Sequence, residues 1–384
     1  VSRALRPTQI AGCLLVIAAL GSAVAFAAGA GPFGAVVHYP RAAKRPIPGG
    51  ALSSRKRSSS FRFFSRTSVW NAPLAQDAAL DPGSGALIGA FEQEVLMEGP
   101  NNRLNVNTTA YSIPIYTVPA GQPTVRVRLD KGAGSSRNPL QGAWRAVPLP
   151  PGAQPAKGSD KHLVVWQPST DRMWEFWAFE NTASGPVAQW GGAMHKVSKN
   201  PGVYNLLAWR RTTGSRKAWE KNVGSWGATA TSLPAVGGLI TLEDLQRGRI
   251  DHALAMAIPN ARANEWTSPA HRTDGTSPLP SSLPEGAHLR LDPRLDLASL
   301  GLPHLILMMA EAAQRYGIII RDKSASITFY AQDPTPTGAN PYTGPAGYFE
   351  GKCVCKLLTA FPWSHLELLK MKLHSRPGRS VRSR

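Results

Sequence analysis

The feature that most constrains this chain is a series of short apolar runs that alternate with period two and stop at Pro, Gly, Asn or Asp. Ile113 and Ile115 alternate with polar or imino positions, and Val125, Val127 and Leu129 alternate with Arg126 and Arg128. Such alternation gives a strand one apolar face. Further runs occupy residues 162–166, 173–179, 249–258, 288–291, 318–320 and 326–330. The 36 Gly and 33 Pro supply the turns that many short strands need. Helical signals are few. Thr241, Leu242, Glu243 and Asp244 have capping-box form, closed by Gly248. Residues 303–316 carry apolar side chains at helical spacing and end at Gly317, a C′ glycine. A third short helix is expected over 364–370. The expected fold is mainly β: a β-sandwich or jelly-roll-like single domain with two or three short helices.

The formal net charge of +19 suggests a polyanion partner until it is mapped along the chain. Residues 1–67 hold ten Lys/Arg and no acid, and residues 370–384 hold six more and no acid. Without those sixteen, 27 basic residues face 24 acidic ones. A groove-binding protein carries its positive stripe on the folded body, so specific nucleic-acid binding is not expected. Basic tails suit anionic wall polymers or lipid surfaces.

Arg3 and Arg6 precede an apolar run at residues 10–28, followed by the small-x-small triplets Ala25, Phe26, Ala27 and Ala28, Gly29, Ala30. This is the pattern of a secretory signal peptide. The alternative is an uncleaved N-terminal membrane anchor, since a run of that length spans a bilayer. Cys13 precedes the run, so it does not form a lipoprotein box. The glycines at 29, 31 and 34 fit GxGxxG without the flanking strand and helix of a dinucleotide site. The expected organisation is a signal peptide or anchor at 1–30, a basic Gly/Pro/Ser linker at 31–60, a β-rich domain at 61–373 and a basic disordered tail at 374–384. Secretion or attachment to the cell envelope follows from this layout. Cys353 and Cys355 are an even pair suited to a disulfide in an oxidising compartment. With His365 and His374 they make a poor metal set, and no metal or other cofactor is expected.

Three places carry chemistry. On a strand over 173–179, Glu175, Trp177 and Phe179 share one face, and Trp174 and Phe176 share the other. A half-buried carboxyl beside aromatic rings suits a sugar cleft, because the rings pack on sugar C–H faces and burial raises the carboxyl pKa. Glu175 is then a proton-transfer residue, with Trp177, Phe179 and Trp174 as substrate-binding aromatics; a structural salt bridge is the alternative. In the run 250–258, Ile250, His252, Leu254, Met256 and Ile258 share one face, and Asp251 and three Ala share the other. His252 is either a base or a hydrogen-bonded strand residue. The polar loop 268–275 brings His271, Arg272 and Asp274 within four positions: a base, a cation for a uronate and a carboxylate, or else a solvated turn.

These segments resemble a widespread group of secreted bacterial β-rich proteins of undefined activity. The resemblance rests on residues 160–166 with 171–177, on 226–239 with 248–253, and on 268–274 followed by Arg290, Leu291, Tyr316 and Gly317. It spans residues 61–373. It implies an extracellular β-rich fold and interest in Glu175, His252, His271 and Asp274. The basic linker and the Cys353–Cys355 segment depart from the group's pattern.

Two functions are expected from these residues. The first is action on extracellular polysaccharide. Hydrolysis would use Glu175 and Asp274 as the carboxyl pair; elimination would use His252 or His271 as base and Arg272 on the uronate. The second is a non-catalytic glycan- or cell-wall-binding envelope protein that uses the same aromatic face.

Overall fold

The computed structural model describes residues 62–130, 139–214 and 223–375. These residues fall within one compact unit. The signal or anchor, the basic linker and residues 376–384 lie outside the described residues. Among the described residues no helix is long and apolar enough to cross a membrane.

The strands in chain order are β1 (Leu104–Asn107), β2 (Ile113–Thr117), β3 (Arg128–Leu129), β4 (Leu163–Gln167), β5 (Arg172–Trp177), β6 (Glu180–Thr182), β7 (Gly185–Ala188) and β8 (Trp190–His195). They continue as β9 (Leu254–Ile258), β10 (Glu265–Thr267), β11 (His288–Leu291), β12 (Ile318–Lys323), β13 (Ile327–Tyr330), β14 (Gln332–Asp333), β15 (Leu366–Leu368) and β16 (Leu373–Ser375). The helices are α1 (Ser84–Glu98), α2 (Pro139–Ala143), α3 (Leu206–Thr213), α4 (Leu242–Arg247), α5 (His304–Arg315) and α6 (Val354–Leu358). The fold is mainly β.

A six-stranded sheet has the order β1-β13-β9-β12-β11-β15, and a five-stranded sheet the order β14-β2-β4-β5-β8. Both are mixed: β1 runs parallel to β13, β9 to β12, β2 to β4 and β14 to β2. β3, β7 and β6 make a small third sheet, and β10 pairs with β16. Because β16 reaches Ser375, ordered chain extends two residues into the stretch expected to be tail.

β9 shows why two cores form. Leu254, Met256 and Ile258 enter a core shared with α1, α5, α6 and Trp363. Ala255 and Ala257 point the other way, into a core shared with Ile115, Val164, Trp174 and Phe176 of the five-stranded sheet. The small alanine face admits the segment 226–239 against the sheet. Ala255 N donates to Gly238 O at 2.9 Å. Gly238 has φ +70°, and a Cβ there would lie 2.4 Å from Ala255 N, so only glycine fits.

Local results differ from the sequence expectation or add to it in several places. The strand expected over 249–258 begins only at Leu254, so His252 precedes β9 and does not share its alternation. The chain at 364–370 is not helical: a 3₁₀ turn at Trp363–His365 leads into β15. There Leu366 and Leu368 are buried and Glu367 pairs with Arg290 at 2.7 Å, a period of two rather than 3.6. α1 was not expected, because its buried face of Leu87, Ile88, Phe91 and Val95 is blurred by exposed Leu96 and Met97. α4 and α5 form where expected. Thr241 and Asp244 exchange side-chain-to-backbone bonds at the start of α4, and Gly248 closes it in the left-handed region. Gly317, with φ +88°, follows the end of α5. Cys353 and Cys355 are joined as a disulfide.

Candidate functional site

Glu175 has no solvent exposure. It lies on β5 with both strand faces covered, and its carboxylate is a strut for the inter-sheet segment. Oε1 accepts from Ala228 N at 2.7 Å and Oε2 from Ala235 N at 2.9 Å. Burial pushes the carboxyl up to about 7, against the pull of those two amides and of Arg321. The Tyr204 hydroxyl beside it is raised by its own burial and by the Glu175 charge. A sugar cannot reach this carboxyl, so the expected half-buried Glu175 becomes a sealed one.

The expected aromatic face also divides. β5 ends at Trp177, and Ala178 adopts φ +49°, which interrupts the alternation. Phe179 is consequently buried against Phe176, with ring centroids 5.6 Å apart, instead of beside Trp177. Trp174 is buried under the Arg172 guanidinium, 4.7 Å from its ring, and donates to Ala143 O at 3.2 Å. Trp177 alone of the three is half-buried.

His252 faces Asp244, not Asp274. Its Nε2 lies 3.0 Å from Asp244 Oδ2 and its Nδ1 2.8 Å from Ala253 O. A carbonyl only accepts, and the Asp244 carboxylate already receives Thr241 N and the Thr241 hydroxyl. Both ring nitrogens therefore donate, and the ring is an imidazolium with no lone pair for a base. His271 donates from Nδ1 to Gly224 O at 2.7 Å, and Arg272 donates to Thr229 O at 3.2 Å.

Asp274 does gain carboxyl partners, but they are Glu285 and Asp322. One oxygen from each of the three lies within 4.8 Å of the others. Asp274 is exposed in the loop after β10, Glu285 is fully buried in the turn before β11, and Asp322 is half-buried on β12. The turn is fixed by Thr267 N donating to Glu285 O at 2.9 Å and Gly286 N to Ile320 O at 2.7 Å. Gly286 has φ +86°, and a Cβ there would sit 1.8 Å from Thr267 O. Asp274 N then donates to Glu285 Oε2 at 2.9 Å, while Glu285 Oε1 is sealed and has no hydrogen-bond partner among the described residues.

A β-bulge delivers Asp322. Ile320 pairs with Met256 and Asp322 with Ala257, leaving Arg321 as the extra residue. Ala257 belongs to the inter-sheet core, whereas Ile318 and Ile320 belong to the helical one. Without the bulge, Asp322 would continue the Ile318–Ile320 series into the helical core. Arg321 is tied down by donating to Ala235 O at 2.6 Å and Gly237 O at 2.9 Å, with its guanidinium 4.1 Å over the Tyr330 ring.

The electrostatics follow from this crowding. Burial, then the charges of Asp322 and Asp274, push the Glu285 carboxyl well above the usual carboxylate range; the Thr273 hydroxyl opposes them. Burial and the Asp274 charge push Asp322 up to about 7, with Asp160 adding to the rise and Arg321 and Lys323 N opposing it. Like charges this close cannot all ionise together, so the cluster holds protons at neutral pH. The arrangement can exchange a proton with a bound group, and its all-oxygen donor set can also take a hard divalent cation.

Sequence reasoning reached Asp274 and missed its two partners. Asp322 left one trace, a run of three charged residues, Arg321, Asp322 and Lys323, closing the apolar strand Ile318, Ile319, Ile320; Glu285, between Pro284 and Gly286, reads as an ordinary turn. No protein-family model, curated protein or solved structure matches this chain.

Proposed function

We propose that this chain is a secreted or envelope-associated hydrolase of extracellular polysaccharide, with Asp274 and Asp322 as its reacting carboxyls. The observation that carries the reading is the gathering of three carboxyl oxygens within 4.8 Å, graded from exposed Asp274 through half-buried Asp322 to sealed Glu285. Asp322, raised to about 7, serves as general acid and Asp274 as the carboxylate nucleophile. Asp322 gives its proton to the glycosidic oxygen as the C–O bond breaks, and Asp274 bonds the anomeric carbon. Asp322 then takes a proton from the water that releases the sugar. Retaining glycosidases hold their carboxyls about 5 Å apart, whereas inverting ones need more than about 6 Å; retention is the outcome this reading takes, and the anomeric configuration of the product tests it. Glu285 does not touch substrate; it is a positioning residue that keeps its proton and bonds the Asp274 loop. Elimination is the weaker chemistry here, because His252 offers no free nitrogen, His271 commits Nδ1 to Gly224 O and lies on no carboxyl of the cluster, and Arg272 is engaged with a carbonyl.

The finer fold belongs to the same reading. The two large sheets stack as a sandwich over the alanine face of β9, with helices outside the six-stranded sheet, in line with the resemblance to the secreted β-rich group. Export by residues 1–30, and attraction of the basic segments 31–60 and 374–384 to anionic wall polymers, complete it.

The test is release of reducing ends from a polysaccharide panel by wild type, Asp274→Asn and Asp322→Asn. Expected is turnover with retained anomeric configuration that falls by on the order of 10² to 10⁴ in each variant. Turnover equal in all three proteins would refute the assignment. Glycan retention with no turnover by wild type would favour the non-catalytic binding protein.

A further inference from the structure

The three-carboxyl cluster contains an oxygen that protons leave unsatisfied. The Glu285 side chain is fully buried and lends one oxygen to the triangle with Asp274 and Asp322. Its Oε2 accepts from Asp274 N at 2.9 Å, and its Oε1 is sealed without a hydrogen-bond partner among the described residues. Protonation does not mend this. A proton on Oε1 has no acceptor to meet, and a proton on Oε2 leaves Oε1 without a donor. A buried polar atom left over in this way is costly. A metal ion bonds a carboxylate through one oxygen or both, so it relieves the orphan where a proton does not.

The spacing selects the ion. The three oxygens lie within 4.8 Å of one another, so a single ion can stand within about 2.8 Å of all three. Calcium–oxygen bonds run about 2.3–2.6 Å, a few tenths shorter, in a flexible shell. Magnesium needs about 2.0–2.1 Å and near-ideal octahedral geometry. Calcium therefore asks for the smaller closure, and Asp274, exposed on its loop, is the ligand placed to make it. All three donors are carboxyl oxygens, which favours a hard cation over zinc or copper. Lys323 N holds Asp322 by donating to its Oδ1 at 3.0 Å. Asp160 adds its charge beside Asp322, and Arg321 opposes it. Ionised, these carboxylates outweigh the one guanidinium, and a dication answers the surplus.

We propose that Asp274, Glu285 and Asp322 form a calcium site, with water completing the ion's shell on the side of Asp274. The inference rests on the cluster itself and not on its hydrolytic use. The two uses exclude each other. An ion held by Asp322 takes the place of the proton that Asp322 would give to a glycosidic oxygen, and the protons it displaces pass to solvent. Calcium thereby switches the proposed hydrolysis off.

The experiment is calorimetric titration of the full chain, stripped with a chelator and held at pH 8, with CaCl₂; MgCl₂ is the comparison probe. Expected is one calcium per chain with a Kd of order 1 mM or tighter, and magnesium at least ~10-fold weaker. Asp274→Asn and Glu285→Gln should each weaken calcium at least ~10-fold. Asp77→Asn, at an exposed carboxyl elsewhere, should leave the affinity unchanged. Asp274→Asn alters an exposed loop residue, so the conclusion can rest on it should Glu285→Gln not fold. No saturable calcium binding by wild type, unchanged affinity in Asp274→Asn, an equal loss in Asp77→Asn, or magnesium binding as tight as calcium would each overturn the proposal. No polysaccharide is present, so this result and the turnover result fail separately. Where reducing ends are released, saturating calcium should slow release at least ~10-fold; release unchanged by an ion that binds would place that ion elsewhere and overturn the assignment.

Discussion

Glu175 and Glu285 are both glutamates with no solvent exposure, and burial raises both carboxyls. Their surroundings are opposite. Each Glu175 oxygen receives a backbone N–H, and the neighbouring charge is the Arg321 cation. Glu285 receives one backbone N–H, leaves Oε1 without a hydrogen-bond partner among the described residues, and has Asp322 and Asp274 for neighbours. A buried carboxylate supplied with donors holds structure together. One crowded by like charge keeps a proton and passes the strain of ionisation to its neighbours. Burial alone therefore does not mark a reacting acid; the sign of the nearby charge does.

The largest expected effect lies at Glu175. An amide there can accept from only one of Ala228 N and Ala235 N and turns its own NH₂ toward the other. Glu175→Gln should cost about 2–5 kcal/mol in urea unfolding. A loss below about 0.5 kcal/mol would show that the strut is not what holds the 226–239 segment.

The next effect is pH dependence. Glu175 has a folded pKa of about 7 against an ordinary 4.5, and Asp322 about 7 against 3.8. A raised carboxyl contributes stability that is fully present below its unfolded pKa and lost as pH rises through its folded pKa. Between about pH 4.5 and 7 each such group lowers stability by up to ~1.4 kcal/mol per pH unit. Urea midpoints at pH 4.5, 6 and 7.5 should fall in that order, and Asp322→Asn should flatten the decline. A midpoint that rises across this range would contradict the assignment of both groups.

Smaller still is Glu285→Gln. The amide copies a carboxyl that is already protonated at neutral pH, so stability at pH 7 should change by less than about 1 kcal/mol, in contrast to the same substitution at Glu175. A loss as large as that at Glu175 would erase the distinction between the two sites. Least of all is Asp274→Asn, at an exposed loop position, where the change should stay within about 0.5 kcal/mol. A larger loss in thermal or urea unfolding would give Asp274 a structural role.

What could be read from the residues follows the same division. β11 was legible in full, and α4 and α5 nearly so, because their periodicity and caps are local. Glu175 was legible as a carboxyl of raised pKa, but its face was not. The left-handed Ala178 moved Phe179 away from Trp177, and the covering segment 226–239 begins 51 positions after Glu175. The partners of Asp274 were hidden for a related reason. Glu285 and Asp322 lie 11 and 48 positions away, and a bulge at Arg321 changes the parity on which a strand reading depends. Local rules carry a segment as far as its first irregularity, and this cluster is assembled at two of them, a glycine turn and a bulge.

The most direct measurement is a ¹³C NMR titration of the side-chain carboxyls, with Glu285 and Asp322 assigned by Glu285→Gln and Asp322→Asn. The account predicts that Glu285 is still protonated at pH 7, that Asp322 titrates near 7, and that both shift downward in Asp274→Asn as one like charge is removed. Titration of both carboxyls between about pH 3 and 5, unchanged by Asp274→Asn, would contradict it.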